Sequence, residues 1–260
     1  MPSIEFEDDE IVLRIKKPHP QVLPFYPTYD ITKPSPLAVE DYTRVDNCVG
    51  HTQRSWIVYW SLRAFIESGG MISCDIGSAG VQHPGCLSVD AVGTGEVPEY
   101  NGIMNGVQIK AEASRLNLFG SNSFSCVLSN HLIEHLSPCY KYEGWLANHF
   151  DGDRAHISPK DALSVKKMLQ CDGEELISII RNQWLRIVRP GGYVGFITPD
   201  NDVAVRNGMT SFDYDFSHQH ALGGVAFCAL LERELKNEVE VIEANTLSNN
   251  FSFNWICRKL

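Results

Sequence analysis

Four things are missing from this sequence, and each absence removes a class of protein. There is no Cys-x-x-Cys pair: the eight cysteines stand scattered at 48, 74, 86, 126, 139, 171, 228 and 257. Cys74, Cys86, Cys126 and Cys257 fall inside apolar, strand-like runs, so they read as buried free thiols of a reducing compartment and not as a disulfide framework. No apolar segment approaches membrane-spanning length, and Met1-Pro2-Ser3 with the acids after it has no basic region ahead of an apolar stretch. A soluble, cytoplasmic chain without membrane contact is expected. There is no excess of positive charge: 22 Lys and Arg against 32 Asp and Glu leave a formal net charge of -10, which opposes a phosphate polyanion. A large nucleic-acid partner is therefore not expected. No internal repeat or low-complexity tract interrupts the chain either.

What remains is 260 residues, 43% hydrophobic and 21% charged, enough to bury the core of one large α/β domain with additions. Residues 10–16 alternate as a short strand does, and residues 18–36 hold six of the 13 prolines, so that stretch should run extended over a surface. Residues 1–53 are therefore read as an N-terminal arm and 54–260 as the α/β domain. Ile57, Trp60, Leu62, Phe65 and Ile66 recur at helical spacing, and Gly69-Gly70 stops that helix. Strands are expected at 71–76, 86–90, 107–111, 124–128, 193–198 and 239–244, with an alternating last strand through Phe251, Phe253, Trp255 and Cys257. Helices are expected along the stripe Leu176, Ile180, Trp184, Ile187 and over 222–235, the first stopped by Pro190-Gly191-Gly192. An insertion at 137–172, with Tyr140, Tyr142, Trp145 and Phe150, interrupts the rhythm. Those aromatics suit stacking on a planar acceptor or simple packing against the sheet.

Chemistry concentrates at Asp75-Ile76-Gly77-Ser78-Ala79-Gly80, followed by a second strand closed by Asp90. An apolar strand, a glycine turn that lets backbone amides approach a ligand, and an acid after the next strand is how α/β sheets hold nucleoside-bearing cofactors. A dinucleotide fingerprint would need G-x-G-x-x-G opening a long helix; the loop to Pro84 is too short and carries a proline, so a dehydrogenase is discounted.

Four segments together resemble the class I S-adenosylmethionine-dependent methyltransferases, of the type 11 kind and most like the glycan-associated branch: Asp75 to Gly80 with Asp90; Ala111-Glu112-Ala113 leading to Ser123-Phe124; Asn130-His131-Leu132-Ile133-Glu134-His135-Leu136; and Leu185-Arg186-Ile187-Val188-Arg189-Pro190-Gly191-Gly192. The resemblance implies a Rossmann-like α/β fold, a seven-stranded, mostly parallel sheet with an antiparallel last strand and helices on both faces. It implies S-adenosylmethionine as cofactor, and methyl transfer to a small hydroxylated acceptor, glycan or metabolite, with oxygen favoured. Two positions depart from the family pattern: Ala79 stands for its usual middle glycine, and Ser125 for its aspartate.

Carried over by resemblance, the cofactor-binding residues are Asp75, Gly77, Ser78, Ala79 and Gly80 in the turn, Asp90 and Ala91 at the ribose, Glu112 and Ala113 at the adenine, and Asn130 after strand four. Asp75 should lie near the methionine ammonium. His131, directly after strand four, is the candidate base, with a structural cap as its alternative; its ordinary pKa of about 6.5 suits proton abstraction near neutrality. His218 and His220, in the loop that the family uses for substrates, complete the candidate catalytic set. Glu134 and His135 are read as helix packing or surface. His218-Gln219-His220 offers two metal ligands without a clear third, so no metal is expected. The competing reading is a catalytically silent scaffold that keeps the fold, and the sequence leaves room for a homo-oligomer.

Overall fold

A computed structural model describes residues 3–7, 10–14, 49–78, 83, 85–91, 108–136, 173–206, 208, 218, 220–245 and 252–260. The Pro-rich stretch 18–36, the insertion 137–172, and Ala79 and Gly80 lie outside the described residues. Residues 1–33 and 34–260 form two units. In the first, β1 (Ser3–Glu7) and β2 (Glu10–Arg14) pair antiparallel, Ser3 opposite Arg14, so the single strand expected at 10–16 has a hairpin partner.

The first described element of the second unit is α1 (Val49–Glu67), which starts eight residues before Ile57, the first residue of the expected stripe. Its end follows the expected glycine stop. Gly69 adopts φ +74°, its N–H reaches Ile66 O at 3.1 Å and the Gly70 N–H reaches Phe65 O at 2.8 Å, the two bonds of a Schellman motif. Then follow β3 (Ser73–Ile76), β4 (Cys86–Asp90), β5 (Ile109–Lys110), β6 (Phe124–Asn130), α2 (Gly173–Ile179), β7 (Val188–Pro199), α3 (Asn201–Arg206), α4 (Gly224–Leu235), β8 (Val239–Asn245) and β9 (Ser252–Lys259). The sheet order is β5-β4-β3-β6-β7-β9-β8. The first five strands run parallel, and β9 enters antiparallel between β7 and β8. This is the sheet the resemblance implies.

Burial on both faces explains the unbroken apolar runs, because a parallel strand covered on each side has no polar face to alternate. Tyr193 packs its ring on Trp60 of α1 at 5.1 Å, and a Cβ on Gly195 would stand 2.9 Å from Trp56. Phe196, of opposite parity, meets Phe227 of α4 at 6.0 Å. Helices therefore cover both faces.

Pro190-Gly191-Gly192 lies inside β7 and not after the helix. Between the pairs Phe124–Val188 and Cys126–Tyr193 the register slips, and the glycines form the resulting bulge. Gly191 needs φ +73°, and a Cβ on Gly192 would sit 2.5 Å from the Ser125 carbonyl. The stripe Leu176, Ile180, Trp184 and Ile187 is fully interior, as its spacing predicts, but the helix widens to a π turn over Ile180–Leu185.

Asp200, at the end of β7, is buried and ties two helix starts together: its Oδ1 accepts from Asp202 N at 2.9 Å and from Gly224 N at 3.1 Å. Asp200→Ala strands two backbone donors, and each buried, unsatisfied donor costs about 1–3 kcal/mol. We expect a loss of roughly 2–4 kcal/mol in urea denaturation, most of it restored in Asp200→Asn, whose amide oxygen still accepts. Equal losses in the two variants would show that charge, and not the caps, is what matters there.

Among the described cysteines, Cys74, Cys126, Cys228 and Cys257 are buried, Cys86 is half-buried, and all five are free. Burial pushes their thiols up, Cys228 to about 12, so none is a nucleophile at neutral pH. Among the described residues no helix is long and apolar enough to cross a membrane.

Candidate active site

The strand order reverses between β3 and β6, one branch running outward through β4 and β5 and the other through β7. In open α/β sheets ligands bind at such a switch point, outside the carboxyl ends of the strands. The in-register pairs Ile76–Val89, Ile76–Ser129 and Asp90–Lys110 bring Gly77, Asp90, Ala111 and Asn130 to that one edge. Gly77 turns out of β3 at φ +71°, its N–H on Val89 O at 2.8 Å. A side chain there would be strained, and its Cβ would stand 2.7 Å from Leu132 Cδ2. Asp90 is half-buried at the tip of β4 and Ala91 is exposed beyond it. Asn130 Oδ1 is buried with no hydrogen bond among the described residues.

Asp75 has a different neighbour from the one expected. Its Oδ2 meets His83 Nδ1 at 2.8 Å, both side chains buried, so the carboxylate is occupied by the chain's own loop eight residues on. His83 Nε2 is buried and without a hydrogen bond among the described residues. Ser78 is turned to Ser88 of β4, their hydroxyls hydrogen-bonded across the strand pair. These contacts tie the glycine turn down from beneath.

The 111–120 segment carries Glu112 and Ala113, and the π turn holds it. Trp184 Nε1 donates to Ala113 O at 3.0 Å, Gln183 Oε1 accepts from Leu116 N at 2.9 Å, and Arg186 donates to the carbonyls of Leu116 and Phe119, both at 2.8 Å. Ala113 is buried and Glu112 half-buried. Nothing in the spacing of Gln183, Trp184 and Arg186 announced this; the π turn brings Gln183 and Trp184, and Arg186 just beyond it, to one neighbour in a way that 3.6-residue periodicity does not anticipate.

After β6 the chain departs most from expectation. His131 takes φ +53°, an uncommon conformation for a non-glycine residue and one in which histidine is enriched. The turn leads into a single 3-10 turn, Ile133–His135, in place of the helix on which Glu134 and His135 were expected. Glu134, read as packing or surface, is instead the centre of a buried cluster. Its Oε2 accepts from Thr198 Oγ1 at 2.8 Å. Its Oε1 faces His131 Nδ1 at 3.4 Å, His135 Nε2 at 3.7 Å and His218 Nε2 at 3.9 Å. Burial alone would raise the Glu134 carboxyl, but the long Nδ1 contact and charge of His131, then the charge of His135, hold it below the usual carboxylate range. His131 Nε2 lies 3.2 Å from Ser252 Oγ. His220 is directed elsewhere, its Nε2 on Leu136 O at 2.7 Å and its N–H on Glu134 O at 3.1 Å, so it clamps the 218–220 segment to the turn. Of the three candidate catalytic histidines, His131 and His218 meet at Glu134, and His220 supports them.

No protein-family model and no curated protein matches the sequence. Solved structures similar to it include the N-methyltransferase NodS from Bradyrhizobium japonicum WM9 in complex with S-adenosyl-L-homocysteine, at 15% identity and TM-score 0.43 over 86% of this chain and 94% of that one. A SAM-dependent methyltransferase from Archaeoglobus fulgidus is similar at 15% identity and TM-score 0.42, covering 79% and 94%. The 1,6-didemethyltoxoflavin-N1-methyltransferase from Burkholderia thailandensis is similar at 14% identity and TM-score 0.43, covering 82% of each chain.

Proposed function

We propose that this protein is an S-adenosylmethionine-dependent methyltransferase that acts on a small hydroxylated acceptor, a glycan or metabolite, at oxygen. The observation that carries the reading is the edge itself: Gly77, Asp90, Ala111 to Ala113 and Asn130-His131 lie side by side at the switch point of a sheet whose last strand is reversed. The donor set fits the cofactor, with a turn that rejects a Cβ at Gly77, an acid at the tip of β4 and the orphaned Asn130 Oδ1. Asp90 would accept from the ribose hydroxyls, and the held Glu112-Ala113 segment would border the adenine. When bound, the cofactor supplies a methyl group activated as a sulfonium.

Displacement at such a methyl needs alignment above all, and a base only for the acceptor proton. With Nδ1–H aimed at Glu134, the His131 imidazole keeps its lone pair on Nε2, the side that now meets Ser252. That tautomer suits proton removal from a hydroxyl, which favours oxygen. The formal charge of -10 disfavours a large nucleic acid. One observation favours a catalytically silent protein: the Asp75 carboxylate, expected at the cofactor, is taken by His83.

Calorimetric titration with S-adenosylmethionine and S-adenosylhomocysteine, with NAD as control, tests the reading. Micromolar binding of the first two is expected, weakened about 10- to 100-fold in Asp90→Ala, the equivalent of one hydrogen bond to a charged group. No binding to either removes the methyltransferase reading. Binding without turnover over a panel of hydroxylated small molecules selects the silent one.

A further inference from the structure

We propose that Glu134, His135 and His218 form a site for a divalent transition-metal cation, with an open coordination position for an acceptor oxygen. The site in itself is independent of the proposed function; the role of the open position rests on it. His218 supplies the ligand that the sequence offers, Glu134 is the third group that the spacing could not identify, and His135 takes the place that His220 was expected to hold.

The geometry is that of ligands gathered on one point. One carboxylate oxygen, Glu134 Oε1, has His135 Nε2 at 3.7 Å and His218 Nε2 at 3.9 Å, and the three ligand atoms lie within 4.8 Å of one another. Ligand atoms at about 2.0–2.2 Å from a tetrahedral ion stand roughly 3.3–3.6 Å apart, so the two contacts at Glu134 need a few tenths of an ångström of closure and the third pair at most about 1.2 Å, a rotation of two imidazole rings. Glu134 is the decisive group. Its side chain is 1% exposed, and Oε1 has no donor at ordinary hydrogen-bond distance among the described residues, although Oε2 receives Thr198 at 2.8 Å. A buried carboxylate oxygen with one long contact to His131 and two further imidazole nitrogens facing it is under-satisfied, and a cation between the three groups would complete it.

The supports are those of a metal site. Thr198 fixes the carboxylate through the oxygen that does not ligate, and His220 pins the His218 segment to the turn through Leu136 O and Glu134 O. The His135 and His218 rings meet edge to face at 4.7 Å, which sets both Nε2 atoms toward Glu134. His131 Nδ1, at 3.4 Å from the same Oε1, stands beside the ligand set as an outer partner. Access is from one side, because His131 and His135 are 35% and 25% exposed while His218 is 6%. Two imidazoles and one carboxylate with a position left open suit Zn²⁺, Mn²⁺, Co²⁺ or Fe²⁺ and not Mg²⁺ or Ca²⁺, which take oxygen ligands.

The test uses the full, tag-free chain, stripped with chelator and titrated separately with Zn²⁺, Mn²⁺, Co²⁺ and Mg²⁺, with bound metal counted by mass spectrometry after gel filtration. One ion of the first three per chain is expected, with Mg²⁺ not retained. Glu134→Gln and His218→Asn should each weaken retention by at least about tenfold, with near-UV circular dichroism unchanged. Should either variant misfold, the wild-type Co²⁺ spectrum decides: ligand-field bands without thiolate charge transfer support the site, and thiolate charge transfer overturns it. Failure of the wild type to retain any ion, or retention unaltered in both variants, also overturns it. S-adenosylmethionine binding in the same preparations separates the two readings, since cofactor bound without an ion sinks this site alone, and an ion bound without cofactor sinks only the proposed function.

Discussion

Trp184→Ala should lower stability by about 3–5 kcal/mol, the cost of emptying a buried tryptophan site. The indole is fully buried in the main hydrophobic cluster, and its Nε1 holds the Ala113 carbonyl at 3.0 Å. Against a total of about 5–15 kcal/mol for an ordinary domain, such a loss leaves a protein that unfolds on mild heating. Trp184→Phe is the sharper experiment. It keeps most of the ring volume and strands only the Ala113 carbonyl, for about 1–3 kcal/mol. The segment that would border the adenine loses its tether, so cofactor affinity should fall even where the fold survives. Urea denaturation and calorimetry on the two variants separate packing from tethering, and wild-type values for Trp184→Phe would show that the tether carries nothing.

Gly77→Ala follows in size. Holding a residue with a Cβ in the left-handed region costs about 1–2 kcal/mol, and forcing the new methyl against Leu132, with three of its side-chain atoms at 2.7 to 2.9 Å, adds about 1–3 kcal/mol of overpacking. Leu132 belongs to the turn that carries His131 and Glu134, and its carbonyl receives the His135 N–H at 2.8 Å. Its displacement should therefore disturb both the glycine turn and the histidine cluster. We expect a drop of roughly 4–20 °C in Tm, at about 2–4 °C per kcal/mol for a chain of this size. Adding Leu132→Ala should recover the overlap but not the backbone strain. A Tm equal to wild type in the single variant would refute the left-handed assignment.

Much of the fold was legible because the central strands are buried on both faces, so Phe124 to Leu128 and Tyr193 to Thr198 read as unbroken apolar runs. The double glycine after Ile66 and the stripe through Trp184 gave equally plain signals. Pro190-Gly191-Gly192 misled as a helix stop because a bulge and a helix end call for the same residues. The six-residue α3 was missed, because fewer than two turns leave no periodic signal to read and its start is set by the buried cap Asp200. At the edge, Gly77 and Asp90 fell where strand, turn and acid placed them. Glu134 did not, because its inward aim depends on the left-handed turn at His131, a backbone event with no periodic signature. The pairing of Asp75 with His83 likewise joins residues whose loop geometry the sequence does not spell out.

The reversed strand has a consequence for how the chain is born. β7 is complete at Pro199, yet the strand that pairs its outer edge does not begin until Ser252, with α3, α4 and β8 translated in between. During that interval a nascent chain presents the outer backbone of Tyr193 to Thr198, all destined for the interior, to whatever is near it. β8 already exists and has the wrong place open to it, directly against β7. Only the arrival of Phe253, Trp255 and Cys257 displaces that option. A chain cut short before Ser252 would therefore carry an adhesive half-sheet, and production of this protein should depend on chaperones at that stage of its synthesis.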